Sequence, residues 1–244
     1  MRRMPDDSVS PPPVPGGRAD VVRSWDARAD RYLELFRHEW DTKPFDRAVL
    51  DSFAAGIGEG GRVLDAGCGP TGHVTEVFTA RGLDATGIDL SPRCVALARR
   101  EKPSCRFEVG DQRDIGAVWA GRLDGLCSYY SLHDQPRSLL PGTLAAWAGA
   151  LRPGGRLLVV AKEGTADGVR PDPLGSGIPV YWAEFTAGEL RRAVTAAGFG
   201  TVEATVREAY ADEIPTRRVF LTATRGPHPA DTATAARGAG GRAG

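Results

Sequence analysis

The run RVLDAGCGPTGHV, Arg62 to Val74, constrains this chain more than any other stretch. Its apolar opening reads as a buried strand, its glycines as a tight loop, and its end as the entry to a helix. One carboxylate, Asp65, sits at the bend. Gly67, Gly69 and Gly72 satisfy the G-x-G-x-x-G spacing, in which a helix amino terminus faces a phosphate-bearing ligand. The spacing alone leaves that ligand open.

Composition narrows the partners. Lys plus Arg equals Asp plus Glu at 31 each, for a formal net charge of zero. That removes the electrostatic footprint of a nucleic-acid binder and weakens any case for an anionic membrane surface. The Arg-rich segment from Gly188 to Ala197 reads as a solvated helix face. Cys68, Cys94, Cys105 and Cys127 lack metal-ligand spacing, so reduced thiols and no metal site are expected. No apolar run approaches the ~20 residues that span a bilayer. MRRMPDDSVS lacks the apolar core of a signal peptide, and a cytoplasmic protein is the resulting expectation. Pro- and Gly-rich residues 1–19 and the Ala, Gly, Pro and Thr tail 226–244 are expected to be disordered. The 20–225 stretch between them shows no repeat or linker and reads as one domain.

That domain opens with helices. From Trp25, the residues Ala29, Tyr32, Leu33, Phe36 and Trp40 fall on one helical stripe. A second segment, Phe45 to Ala55, follows Lys43-Pro44. The pair, 20–56, is expected to form a lid with Tyr32 and Trp40 facing a pocket; the plainer alternative packs the stripe on a sheet. Strands are then expected at Arg62–Ala66, Ala85–Leu90, Cys105–Gly110, Leu123–Tyr130 and Arg156–Lys162. Ser91-Pro92 opens a helix through Arg100 as cap and first residue. Another helix runs from Pro141 to Leu151, stopped by Pro153-Gly154-Gly155. Thr186-Ala187-Gly188-Glu189 is a capping box for a helix ending near Gly198. Thr201–Tyr210 and Arg217–Thr224 form a final antiparallel pair. The sum is an α/β, Rossmann-like fold: a seven-stranded mixed sheet, helices on both faces, last strand antiparallel. In such sheets the loops at the carboxyl ends of the strands carry function.

Three features argue against a dinucleotide. Asp65 would repel a pyrophosphate but attract an ammonium group. Pro70 and Thr71 change the loop's shape, and a second acid, Asp111, ends the third strand. VLDAGCGPTG, GIDLS at Gly87–Ser91, EVGDQRDI at Glu108–Ile115 and LRPGGRLLVV at Leu151–Val160 then occur in order. With these motifs the chain, from about Trp25 to about Arg225, resembles the class I S-adenosylmethionine-dependent methyltransferases of the ubiquinone/menaquinone and natural-product type. The resemblance implies that Asp65, Gly67 and Gly69 hold the methionine portion of S-adenosylmethionine, with loop N–H groups at the helix amino terminus binding its carboxylate; Tyr32, facing the pocket from the lid, joins the expected cofactor contacts. It implies that Asp89 accepts both ribose hydroxyls, Leu90 lies against the adenine, and Asp111 receives its amino group beside the Gln112 backbone. Ser128 and Tyr129 would line the methionine end through the backbone. The alternative for Asp111 is a turn-capping carboxylate.

For the acceptor side, His133 in SYYSLHDQP is the expected general base, oriented by Asp134; the alternative is a structural histidine. His38, His73 and His228 are poor candidates. Gly164 to Phe185 is long for a loop and is expected to cover the acceptor. Trp40, Tyr130, His133, Tyr181 and Trp182 make up the expected acceptor contacts. The segment CSYYSLHD after the fourth strand lacks both the Asn/Asp-Pro-Pro-aromatic run of base N-methylation and the Pro-Cys of pyrimidine C5 methylation. Methyl transfer to an O or N atom of a small molecule, by a monomer or homodimer, is the resulting expectation. A scaffold that binds the donor without transferring methyl is the alternative.

Overall fold

A computed structural model describes residues 17–227. The two tails expected from the sequence fall almost wholly outside them, except that Arg18 and Ala19 already belong to the first helix. The helices are α1 Arg18–Phe36, α2 Pro44–Ile57, α3 His73–Ala80, α4 Pro92–Glu101, α5 Ile115–Trp119, α6 Leu140–Ala150 and α7 Ala187–Ala196. The strands are β1 Arg62–Ala66, β2 Asp84–Asp89, β3 Arg106–Val109, β4 Leu123–Tyr129, β5 Leu151–Lys162, β6 Asp167–Arg170, β7 Val180–Ala183, β8 Phe199–Arg207 and β9 Arg218–Arg225. Seven of them form one sheet in the order β3-β2-β1-β4-β5-β9-β8, with β9 antiparallel to both neighbours and the first five strands parallel. The expected architecture is the observed one.

Burial explains the two helical layers. Along β5, Leu157, Val159 and Ala161 join the cluster with Leu144 and Trp147 of α6 and Leu190 and Val194 of α7. Leu158 and Val160 face the other way, onto Leu50 and Phe53 of α2 and Val77 and Phe78 of α3. A strand covered on both faces has to be apolar throughout. Trp147, Phe53 and Phe78 are each at most 2% exposed, and each such burial stabilises by roughly 1.5–3 kcal/mol. Two helix starts follow their sequence signals. Ser91 Oγ accepts from Cys94 N at 3.0 Å, and Thr186 Oγ1 from Glu189 N at 3.2 Å.

Three elements depart from the sequence reading. The stripe of α1 packs neither on the sheet nor through Trp40; Ala29 and Leu33 lie against Cys94 and Leu97 of α4. The helix ends at Phe36, and Trp40 sits in a separate 3-10 turn, Glu39–Thr42. The segment 164–185 is no open loop, because β6 and β7 pair there as an antiparallel ribbon. Finally, β5 starts at Leu151, opposite Leu123, so Pro153-Gly154-Gly155 lies within its span and not between helix and strand. Strand order reverses between β1 and β4. This is the switch point at which a crevice opens outside the carboxyl ends of the strands.

Candidate active site

A cavity of about 670 Å³ fills that crevice. The half where the sequence leads one to expect the methyl donor, the donor half, is built at the ends of β1, β2 and β3, and the half where the acceptor is expected, the acceptor half, at the ends of β4, β5 and β9. Residues Trp25, Arg28, Tyr32 and Phe36 of α1 close it from above.

In the donor half, Asp65 is 1% exposed. Its Oδ2 accepts from Thr75 Oγ1 at 2.7 Å, while Oδ1 is buried with no partner. Burial lifts its pKa to about 7, against the Thr75 hydrogen bond. Gly67 and Gly69 have φ of +87° and +61°, the left-handed region that disfavours side chains. A Cβ on Gly67 would collide with Ser131, and one on Gly69 would enter open space. Asp89 fastens the loop: its Oδ2 accepts from Gly69 N at 3.0 Å and its Oδ1 from Ser91 N at 2.9 Å. Burial raises it to about 6. Each of its oxygens retains a second lone pair for a ligand hydroxyl. Leu90, Gln112 and Tyr32 also line this half.

These residues fit a ligand with an ammonium group and a vicinal diol, whereas the loop N–H groups of Gly67 and Cys68 donate to the Ile88 carbonyl and that of Gly69 to Asp89, so they do not offer the expected site for a carboxylate. The orphaned Asp65 oxygen would take the ammonium, the open cradle at Gly69 leaves room for the chain, and Asp89 offers two acceptors. Asp111 lines the cavity too, but its carboxylate is engaged. Arg113 Nε and Nη2 hold it at 2.6 to 3.1 Å and Arg18 Nε at 2.7 Å. Burial alone would raise its pKa, but these two cations outweigh it and hold it below the usual range. Asp111 also accepts from the Arg113 backbone N–H at 2.8 Å, the turn-capping role that is the alternative for this carboxylate.

Three expected contacts lie off the cavity wall. Ser128 is fully buried, its hydroxyl 2.7 Å from Ser131 Oγ; Ser131, not Ser128, lines the cavity and donates to the Ala66 carbonyl at 2.5 Å. Trp40 stands behind the wall, its ring 5.9 Å from His73 and 5.5 Å from Tyr129. Tyr181 points along the β6–β7 ribbon, where its hydroxyl donates to Asp167 at 2.7 Å. Tyr129 lines the cavity and donates to Asp46 at 2.7 Å.

The acceptor half gathers Tyr130, His133, Lys162, Trp182 and Arg218. Tyr130 has φ +56°, and its hydroxyl is buried without a partner. His133 and Trp182 stack obliquely, centroids 4.9 Å apart. Burial first, then Lys162, Arg28, Arg170 and Arg218, push the His133 pKa well below the ordinary value. The imidazole is therefore neutral, with Nδ1 unpartnered and Nε2 at 4.0 Å from Asp134. Asp134 instead binds Arg28 at 2.8 Å.

Sequence reasoning missed Arg28, Ser131, Lys162 and the buried trio Glu39, Lys43 and His73. Lys43 Nζ lies 2.6 Å and His73 Nδ1 3.5 Å from Glu39. Arg28 had a signal, since it falls with Trp25 and Tyr32 on the helical stripe. Lys162 had one as well: a charge ending an otherwise apolar strand. Among the described residues, no cluster of three or more His, Cys, Asp or Glu side chains could hold a metal ion. No helix among them is long and apolar enough to cross a membrane.

A family model described as a methyltransferase domain matches residues 63–155, from β1 to the start of β5. The ubiquinone biosynthesis O-methyltransferase of Xanthomonas axonopodis pv. citri is 30% identical over 170 residues, covering 65% of this chain and 67% of that protein. Its Xanthomonas campestris pv. campestris counterpart is 29% identical, with the same coverage of each chain. A solved structure, the 1,6-didemethyltoxoflavin-N1-methyltransferase of Burkholderia thailandensis with bound 1,6-didemethyltoxoflavin and S-adenosylhomocysteine, superposes with a TM-score of 0.66. It is 25% identical and covers 89% of this chain and 93% of its own.

Proposed function

This chain belongs to the class I S-adenosylmethionine-dependent methyltransferases acting on small molecules, and on that premise we propose that it methylates an O or N atom of an acceptor held by Tyr130, His133 and Trp182. The observation that carries this is the single cavity joining Asp65 and Asp89 to His133 and Trp182 across the switch point. The donor, when bound, supplies an electrophilic methyl on a sulfonium whose charge disappears on transfer.

Asp65 would take the ammonium end of the donor and Asp89 its diol, and Leu90 and Gln112 line the same half of the cavity, where the base would lie. Displacement of charge in the transition state favours a dry site, and α1 with the β6–β7 ribbon keeps water from the acceptor half. Positioning of the two reactants is the larger contribution, up to ~7–11 kcal/mol where geometry is near-attack. His133 accepts a hydrogen bond from the acceptor's O–H or N–H and so orients its lone pair. Burial and then four nearby cations make its imidazolium costly, so His133 orients the acceptor and the acceptor's proton passes to water at the cavity mouth. The free cysteines among the described residues fit a reducing compartment, the cytoplasm.

The test is direct. The protein is titrated with S-adenosylmethionine by calorimetry, then incubated with small phenols, amines and carboxylic acids while S-adenosylhomocysteine is quantified. Saturable binding and acceptor-dependent product are expected. Donor binding with no turnover on any acceptor would refute the transfer assignment, and no binding would refute the donor site.

A further inference from the structure

The acceptor half carries an unbalanced charge. Lys162 and Arg218 are direct cross-strand partners in the β5–β9 pairing, and both line the cavity. Like charges in that register destabilise a sheet unless something neutralises them. Arg218 is provided for: Glu213 lies 3.6 Å away, and the Ile214 and Thr216 carbonyls accept from its guanidinium. Lys162 is not. Arg28, Lys43, Arg113 and Arg218, the other described lysines and arginines on the cavity wall, all have hydrogen-bonded or ion-paired partners. Lys162 has only aromatic faces, Trp182 at 3.8 Å and Tyr130 at 6.0 Å.

The nearby carboxylates are committed elsewhere. Asp134 binds Arg28 at 2.8 Å, Glu184 accepts from Trp182 Nε1 at 3.1 Å, and Glu213 holds Arg207 at 2.8 Å. Cation–π contact offsets part of the desolvation. Even so, burial and then Arg218 bring the Lys162 pKa down to about 7, with Arg170 adding to this and Asp134 and Glu184 opposing it. An amine in an aromatic-walled cavity, facing a like charge and lacking a counter-ion, is one ligand short.

We propose that Lys162 binds the acceptor, its ammonium holding an anionic oxygen, a carboxylate or an ionised phenol or enol, of a small aromatic or conjugated acid between Tyr130, His133 and Trp182. This rests on the methyltransferase reading of the same cavity. The bound anion neutralises the Lys162–Arg218 pair and draws the lysine fully into its charged form.

The probes are benzoate and 2,4-dinitrophenolate, set against their neutral counterparts benzamide and 2,4-dinitroanisole. Each is titrated by calorimetry below pH 7, with and without saturating S-adenosylhomocysteine, into the wild type, Lys162→Met and Lys162→Arg. At least one anion should bind the wild type about tenfold or more tightly than its neutral counterpart, the scale of a charged hydrogen bond. Lys162→Met should erase that preference and Lys162→Arg keep it, with S-adenosylhomocysteine affinity equal in all three. The anion showing the larger ratio assigns the carboxylate or the phenolate. Equal binding of anion and neutral probe, a preference that survives in Lys162→Met, or no anion binding at millimolar concentration would each overturn the proposal. Failure of S-adenosylhomocysteine to bind would instead refute the donor site, leaving the cofactor-free titrations to decide on Lys162.

Discussion

Replacing Asp65 by Asn should stabilise the free enzyme while weakening its hold on the donor. The carboxyl is 1% exposed and has a pKa of about 7 in the folded protein, against ~3.9 in an unfolded chain. Between those values the folded state keeps a proton that the unfolded state has lost. Stability therefore falls as pH rises through the window and stays reduced above it. A displacement of roughly 3 units corresponds to about 4 kcal/mol once both states are ionised. Asn keeps the volume and an oxygen to accept from the Thr75 hydroxyl, without the charge. Its amide protons find no acceptor at the orphaned position, which returns about 1–3 kcal/mol. The net gain at about pH 8.5 is then roughly 1–3 kcal/mol, or 2–10 °C in Tm for a chain of this size. Near pH 5 Asp65 is already protonated, and the gain should vanish. Thermal melts of the cofactor-free protein at both pH values provide the assay. No rise at the higher pH, or an equal rise at the lower one, would refute the argument that the charge is buried at a cost. Calorimetry with S-adenosylhomocysteine on the same variant should show ~10–100-fold weaker binding.

Gly67→Ala forces a side chain into the left-handed region, at about 1–2 kcal/mol, and against Ser131; a lower denaturant midpoint and weaker S-adenosylhomocysteine binding are expected, and wild-type values for both would show the loop to be loose. Asp89→Ala frees the N–H groups of Gly69 and Ser91 and should cost about 1.5–3 kcal/mol of donor affinity, read by the same titration. Arg28→Met strands Asp134, while Asp172 keeps the Leu174 and Ser176 N–H groups, and urea unfolding should register a loss of about 3–5 kcal/mol; a loss below ~1 kcal/mol would mean that Asp134 is solvated. His133→Ala removes the hydrogen-bond acceptor and should lower kcat about tenfold with donor affinity unchanged, and unaltered turnover would remove His133 from the acceptor contacts.

What the sequence disclosed was set by how local the cause is. Ser91-Pro92 and Thr186 with Glu189 cap their helices through contacts three residues apart, so the cues survive in one dimension. The continuous apolar run along β5 and the glycine loop before α3 are equally short-ranged, and the sheet follows from them. The β6–β7 ribbon was hidden because Pro171, Pro173, Gly175 and Gly177 between its strands read as an uninterrupted loop. Trp40 and Tyr181 were placed by size and amphipathicity, which cannot tell a cavity wall from the layer behind it. Arg18 on Asp111, Arg28 on Asp134 and Lys162 opposite Arg218 join segments from 56 to 106 residues apart. Only the folded chain brings those charges together, so the electrostatics of the site stayed out of reach.

The fastening of α1 has a consequence for traffic into the cavity. At its rim the helix is held by Arg18 on Asp114 at 2.6 Å and Asp30 on Arg93 at 2.6 Å, between side chains 45–61% exposed. Pairs of that kind contribute ~0–1 kcal/mol and fade over a Debye length of ~8 Å at physiological ionic strength. The inner seam of Ala29 and Leu33 on Cys94 and Leu97 is apolar and indifferent to salt. Raising ionic strength should therefore loosen the outer edge of the roof and hasten ligand entry and exit, while the melting temperature of the sheet beneath hardly moves. The tempo of exchange and the durability of the fold rest on different forces.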